Sequence, residues 1–322
     1  MTPIGGKHRM ATPRVVSLIA SATEIVAALG CEEWLVGRSH ECDYPPAVHQ
    51  LPMCSSPKFD VNGDSRQIDE RVKATLQSAT SVYNVDTALL NDLAPSVVIT
   101  QTQCEVCAVS LADVQRAVCE LVRSQPKLVA CEPNNLADVW ADLQRVADAL
   151  GVSERGHQLV GELQKRCADL HDQTRNLPQP LPTIACIEWQ EPLMAAGNWV
   201  PELVEIAGGR NLFGQAGAHS PWMTWEQLVA ADPDVLAIMP CGFDMQRACA
   251  EMHWLTERPE WPSLSAVRHQ RVFITDGNSF FNRPGPRVVE SAEILAEILH
   301  PEVFDFGHQG SGWQTWPPSE IS

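Results

Sequence analysis

Arg14-Val-Val-Ser-Leu-Ile-Ala-Ser-Ala-Thr-Glu-Ile-Val-Ala-Ala-Leu-Gly30 is the stretch that decides the fold. The apolar run at 15–19 reads as a short buried strand, the small residues after it as a turn, and the rest as a helix. Ser21 is placed to cap that helix, and Glu24, three residues on, completes a capping box. Gly30 supplies the left-handed residue that ends it. A strand feeding a helix in this way makes an α/β unit, and such units bind ligands at the carboxyl ends of their strands. The turn carries neither a GxGxxG nor a GxxxxGK[ST] string, so a nucleotide phosphate cradle is excluded there.

The same alternation continues outward from this unit. Strands are expected at 34–37, 95–100 and 128–131, with helical periodicity at Ile68, Val72 and Leu76. The region 53–66, rich in Ser, Pro, Asp and Gly, reads as irregular. Asn134 or Asn135 is suited to cap a helix whose apolar residues Leu136, Val139, Leu143, Val146 and Leu150 repeat at helical spacing. A second helix, from Ser153 to about Asn176, ends before the proline-rich string 177–182 and reads as a stiff connector. Beyond it, strands are expected at 183–187, 235–239 and 272–275, and helices at 199–207 and 287–299. The residues after 300 show no clear element.

The composition bounds the function. With 322 residues the chain is long enough for two domains. A formal net charge of -17 argues against a nucleic-acid or anionic-membrane surface, both of which need clustered Lys and Arg. No run approaches the roughly 18 apolar residues of a membrane helix. The first ten residues lack the apolar core of a secretory signal, which points to the cytoplasm, or to the periplasm if a leader has been removed. Eleven scattered cysteines fit a reducing compartment, where most act as small buried hydrophobes.

Six strings, in order, resemble the cobalamin-binding, periplasmic-type substrate-binding proteins of ABC importers. They are PRVVSLIASATEIVAALG (13–30), DYPP (43–46), LAPSVVIT (93–100), AGNWVPELVEIAGGRNLFG (196–214), MTWEQLVAADPDVLAI (223–238) and FFNRPGPRVVESAEIL (280–295). The resemblance implies an α/β fold of two Rossmann-like lobes bridged by one long backbone helix, the class III architecture. The lobes would be 13–134 and 178–300, the helical connector 135–177, and 301–322 an irregular tail. It further implies non-catalytic binding of a corrinoid, cobalamin, between the lobes of a monomer, for transport, storage or delivery. An ABC permease would be the partner, docking on one acid per lobe, Asp86 and Glu226. The loops 39–44 and 101–110 are richer in metal-ligand side chains than the importer type and look like a leaderless cytoplasmic branch.

Loops at strand ends should face the crevice between the lobes. They offer Ser21, Thr23, His40, Glu41 and Asp43 from the first lobe and Glu188 from the second. Trp189, Trp199, Trp222, Trp225, Phe280 and Phe281 are candidates to grip a large flat ligand. Ten tryptophans against two tyrosines favour some facing a ligand. Cys104-x-x-Cys107 has zinc or redox spacing, and His40 and Cys42 lie in a loop that the fold should bring near. The residues therefore leave two alternatives open. One is capture of a transition metal or metal chelate of siderophore or haem type by His40, Cys42, Cys104 and Cys107. The other is thiol-dependent catalysis at the same cysteines. His40 is also a candidate axial ligand to cobalt.

Overall fold

The computed structural model describes residues 12–78, 82–101 and 123–317. The first lobe is built from β1 (Val15–Ser17), α1 (Ala20–Ala28), β2 (Leu35–Arg38), β3 (Ser55–Pro57), α2 (Ser65–Ser78), β4 (Tyr83–Val85), α3 (Thr87–Leu93), β5 (Val97–Gln101) and β6 (Lys127–Cys131). Its main sheet is all parallel, in the order β2-β1-β5-β6. Val15, Val16, Val97, Val98 and Ile99 are all buried, as expected of parallel strands covered on both faces. The region expected to be irregular contributes β3, which pairs antiparallel with β4. Three-residue strands are too short to show alternation, and α2 separates these two in the chain, so their pairing had no sequence signal.

The opening stretch corrects one expectation. β1 ends at Ser17, whose hydroxyl donates to the Ile19 carbonyl at 2.9 Å, and α1 is already under way at Ala20. The N-cap is Ile19, with no side-chain cap. Ser21 and Glu24 therefore form no capping box; both are buried.

The connector is α4 (Leu136–Leu150) followed by α5 (Ser153–Thr174). Asn135 caps α4 by accepting from the Asp138 amide at 2.9 Å. Gly151, at φ 76°, supplies the left-handed turn between the helices. The 22 residues of α5 span about 33 Å. The α4 helix packs on α1 of the first lobe, while α5 packs on helices of the second.

The second lobe comprises β7 (Thr183–Trp189), β8 (Met194–Ala195), α6 (Val200–Ile206), β9 (Arg210–Asn211), α7 (Trp225–Ala231), β10 (Val235–Ile238), α8 (Met245–Ala250), α9 (His253–Thr256), α10 (Ser265–Arg268), β11 (Val272–Thr275), α11 (Val288–Leu299) and β12 (Trp313–Thr315). Its sheet runs β12-β11-β10-β7-β8, with β9 also on β7. The tail is thus not wholly irregular, because β12 adds an antiparallel edge to β11. The buried carboxylate of Glu297, on α11, organises this ending. It accepts from the amides of Phe306 at 2.5 Å and His308 at 3.2 Å, and from Trp313 Nε1 at 2.5 Å.

His308 Nε2 lies 3.1 Å from Glu293 Oε2, and Arg166 of α5 donates to the other oxygen at 2.7 Å. The Glu293 contact raises the His308 pKa against the opposing effect of burial. A raised folded-state pKa means that this contribution is full below about pH 6.5 and lost as pH rises through the folded value. Glu293 would be raised by burial, but its bonds to His308 and Arg166 hold it below the ordinary glutamate value. The melting-temperature difference between wild type and His308→Ala should therefore be larger at pH 6 than at pH 9. Equal differences at the two pH values would show that protonation of His308 adds nothing to stability.

Candidate functional site

A cavity of about 660 Å³ lies between the lobes. The first lobe lines it from the ends of β1 and β2 with Ser21, Arg38, His40, Glu41, Cys42 and Asp43. The second lobe lines it with Glu188 and Trp189 at the end of β7, and with Trp199, Trp222, Cys241, Phe243 and Phe281. The strand-end loops meet here because the parallel strands of both sheets present their carboxyl ends to the crevice.

The first-lobe loop is tightly arranged. His40 Nδ1 is 2.9 Å from Ser55 Oγ, and its ring centroid is 4.8 Å from that of Tyr83. Burial, and then the charge of Arg38, lower the His40 pKa to about 4, so the imidazole is neutral at pH 7. Glu41 accepts from Tyr83 Oη at 2.8 Å. Cys42 is buried, with Thr23 Oγ1 2.9 Å and Ser39 Oγ 3.3 Å from its sulfur. Burial pushes the Cys42 thiol up, which disfavours the thiolate needed for metal ligation or nucleophilic attack. Thr23 itself does not line the cavity; it stands behind Cys42, fully buried.

On the opposite wall, Glu188 accepts from Ser220 Oγ at 2.7 Å. Trp189 packs against Phe243 at 5.1 Å, and its Nε1 is buried with no acceptor among the described residues. Trp199 donates through Nε1 to the Phe281 carbonyl at 2.9 Å. Trp222 is 56% exposed at the cavity edge, with Lys73 Nζ 5.3 Å from its ring. Phe281 lines the cavity but Phe280 does not; it packs toward the tail, 6.3 Å from His308. Trp225 is also part of the core, donating to Glu260 at 2.8 Å.

Cys104 and Cys107 lie outside the described residues. Among the described residues, no group of three or more His, Cys, Asp or Glu side chains could hold a metal ion. Asp86 is exposed in the first lobe and caps α3 by accepting from the Leu89 amide at 2.9 Å. Glu226 is exposed in the first turn of α7.

The sequence reading missed a charge network that joins the lobes. Glu24 of α1 accepts from Arg283 Nη1 at 3.0 Å and from Arg287 Nε and Nη2 at 2.9 and 2.6 Å. Arg283 also grips both oxygens of Asp43, at 2.5 and 2.9 Å, and Asn278 donates to Asp43 at 3.0 Å. Burial would raise the Asp43 carboxyl, but the Arg283 bonds outweigh it and hold it below the usual range. A second bridge closes the rim. Ser65 donates through its amide and hydroxyl to Glu251 at 3.1 and 2.8 Å. Arg247 donates to the carbonyls of Val61 and Gly63 at 3.2 and 3.1 Å. Interlobe bonds therefore join the two lobes on both sides of the cavity.

Residues 15–278 match the periplasmic binding protein family. The chain belongs to that family. Among curated periplasmic binding proteins, the vitamin B12-binding protein of Photorhabdus laumondii is 24% identical over 288 residues, covering 89% of this chain and 88% of the relative. An uncharacterised ABC transporter substrate-binding lipoprotein, YvrC of Bacillus subtilis, is 23% identical over 298 residues, covering 90% and 81%. Among solved structures, the periplasmic vitamin B12-binding protein BtuF of Vibrio cholerae superposes with a TM-score of 0.62 at 20% identity, covering 89% of this chain and 96% of that one. The periplasmic haem-binding protein RhuT of Roseiflexus sp. RS-1 superposes at 0.66 with 22% identity, covering 90% and 99%. At these identities the solved structures establish the class III, two-lobed periplasmic binding protein fold.

Proposed function

We propose that the cleft binds a corrinoid, cobalamin, reversibly and without catalysis. The observation that carries this reading is the cavity between the lobes, walled by Trp189, Trp199, Trp222 and Phe281 with the neutral imidazole of His40 facing them from the other lobe. Flat aromatic walls suit a large macrocycle, and an unprotonated imidazole suits a transition-metal axial position. Relatives named as vitamin B12-binding proteins support the ligand class. The neutral, buried Cys42 speaks against thiol chemistry in the same loop. Asp86 and Glu226, exposed on separate lobes, remain the proposed docking acids for a permease.

His40 is the proposed axial ligand. Its Nδ1 is engaged by Ser55, which leaves Nε2 for the metal when Nδ1 carries the proton. Hydroxocobalamin bound to wild type should show a shifted visible spectrum that His40→Ala abolishes. Because His40 titrates at about 4, the shift should persist from pH 8 down to pH 5. An identical bound spectrum in His40→Ala would remove the ligand role. Haemin, run in parallel, tests the haem reading that the RhuT likeness suggests.

A further inference from the structure

Arg38, the last residue of β2, lines the cavity yet is only 8% exposed. Its Nη1 donates to the carbonyls of Ser39 and Cys42 at 3.0 and 3.1 Å. Its Nε is buried with no acceptor, and the guanidinium forms no ion pair with a carboxylate among the described residues. The other cations around the cavity are committed. Lys73 lies 2.6 Å from Asp69, Arg283 is held by Asp43 and Glu24, and Arg247 is spent on the rim carbonyls. A guanidinium withdrawn from water without a counter-ion is costly, and its donor fork matches a carboxylate or phosphate. A chain of net charge -17 repels anions in general, so any attraction for one has to be local.

We propose that Arg38 is an oxyanion subsite of the cleft, taking a carboxylate or phosphodiester group carried by the ligand, and that, given the corrinoid reading above, it selects among such ligands. Cobalamin carries one phosphodiester in its nucleotide loop, cobinamide lacks it, and haem carries two carboxylates. These three probes therefore separate the sources of the oxyanion.

The test is calorimetric titration of wild type, Arg38→Gln and Arg38→Lys with hydroxocobalamin, dicyanocobinamide and haemin. Arg38→Gln should weaken hydroxocobalamin by about tenfold or more while leaving cobinamide within about twofold. Arg38→Lys keeps the charge but loses the fork, and should show a smaller loss confined to the same ligand. It also serves if the glutamine variant does not fold. If haemin binds in place of cobalamin, the same selective loss on haemin assigns the carboxylate as the source. Equal losses on cobalamin and cobinamide, or no loss, would overturn the subsite. If wild type binds none of the three, the corrinoid reading fails, and inorganic phosphate decides Arg38 separately. Phosphate heat present in wild type and absent in Arg38→Gln supports the subsite; no difference overturns it.

Discussion

Glu24→Ala is expected to lower folding stability by about 3–5 kcal/mol, the usual cost of leaving a buried charge without its partner. The side chains of Glu24, Arg283 and Arg287 are 2%, 6% and 13% exposed, so solvent screens the network little. Without Glu24, Arg287 loses both of its carboxylate bonds, and Arg283 retains Asp43 and Asn278. Asp43→Asn should cost less, about 1 kcal/mol or under, because that carboxylate is 37% exposed. Replacing Glu24, Arg283 and Arg287 together by methionine should be milder than Glu24→Ala, since the one charge it leaves without its partner, Asp43, is 37% exposed and reached by solvent. Urea unfolding monitored by tryptophan fluorescence checks the order. Equal, sub-kilocalorie losses for Glu24→Ala and Asp43→Asn would contradict it.

Trp222→Ala is expected to have the largest effect on ligand affinity of the aromatic substitutions relative to its effect on stability. An aromatic anchor truncated at a binding surface typically costs about 2 kcal/mol, roughly thirtyfold in Kd. Trp222 is 56% exposed on a wall of the cavity, so its removal should change folding stability by no more than about 0.5 kcal/mol. Trp199, by contrast, is buried and donates to the Phe281 carbonyl, so Trp199→Ala would confound binding with unfolding. Parallel titration and thermal melting of Trp222→Ala check both halves. Unchanged affinity would show that the ligand does not reach this wall.

Much of the fold was legible because it rests on local patterns. The apolar run at 97–99, the spacing of Leu136, Val139, Leu143, Val146 and Leu150, and the Asn135 cap each carry their own signal. The six ordered strings then fixed the arrangement of the lobes. The site was less legible, because neighbouring positions have opposite fates. Ser21 and Thr23 are two residues apart on a helix and point about 200° apart, so only Ser21 reaches the cavity. Phe280 and Phe281 divide in the same way between tail and cavity.

Glu24 was misread because Ser-x-x-Glu matches a capping box, whereas its real partners lie 259 and 263 residues away. Pairing over that distance leaves no local period. Arg38 stood at the end of a strand, where nothing in the sequence showed that its guanidinium would be buried. The strand β12 was missed for a related reason. Three residues carry no alternation, and their docking depends on the carboxylate of Glu297 inside an otherwise apolar helix face.

The central claim is that the cleft holds a corrinoid, and a calorimetric titration of the reduced, metal-stripped protein with hydroxocobalamin tests it most directly. The expected result is a one-to-one isotherm with a dissociation constant of about 1 μM or below, accompanied by a change in the visible spectrum. No heat and no spectral change would contradict the claim.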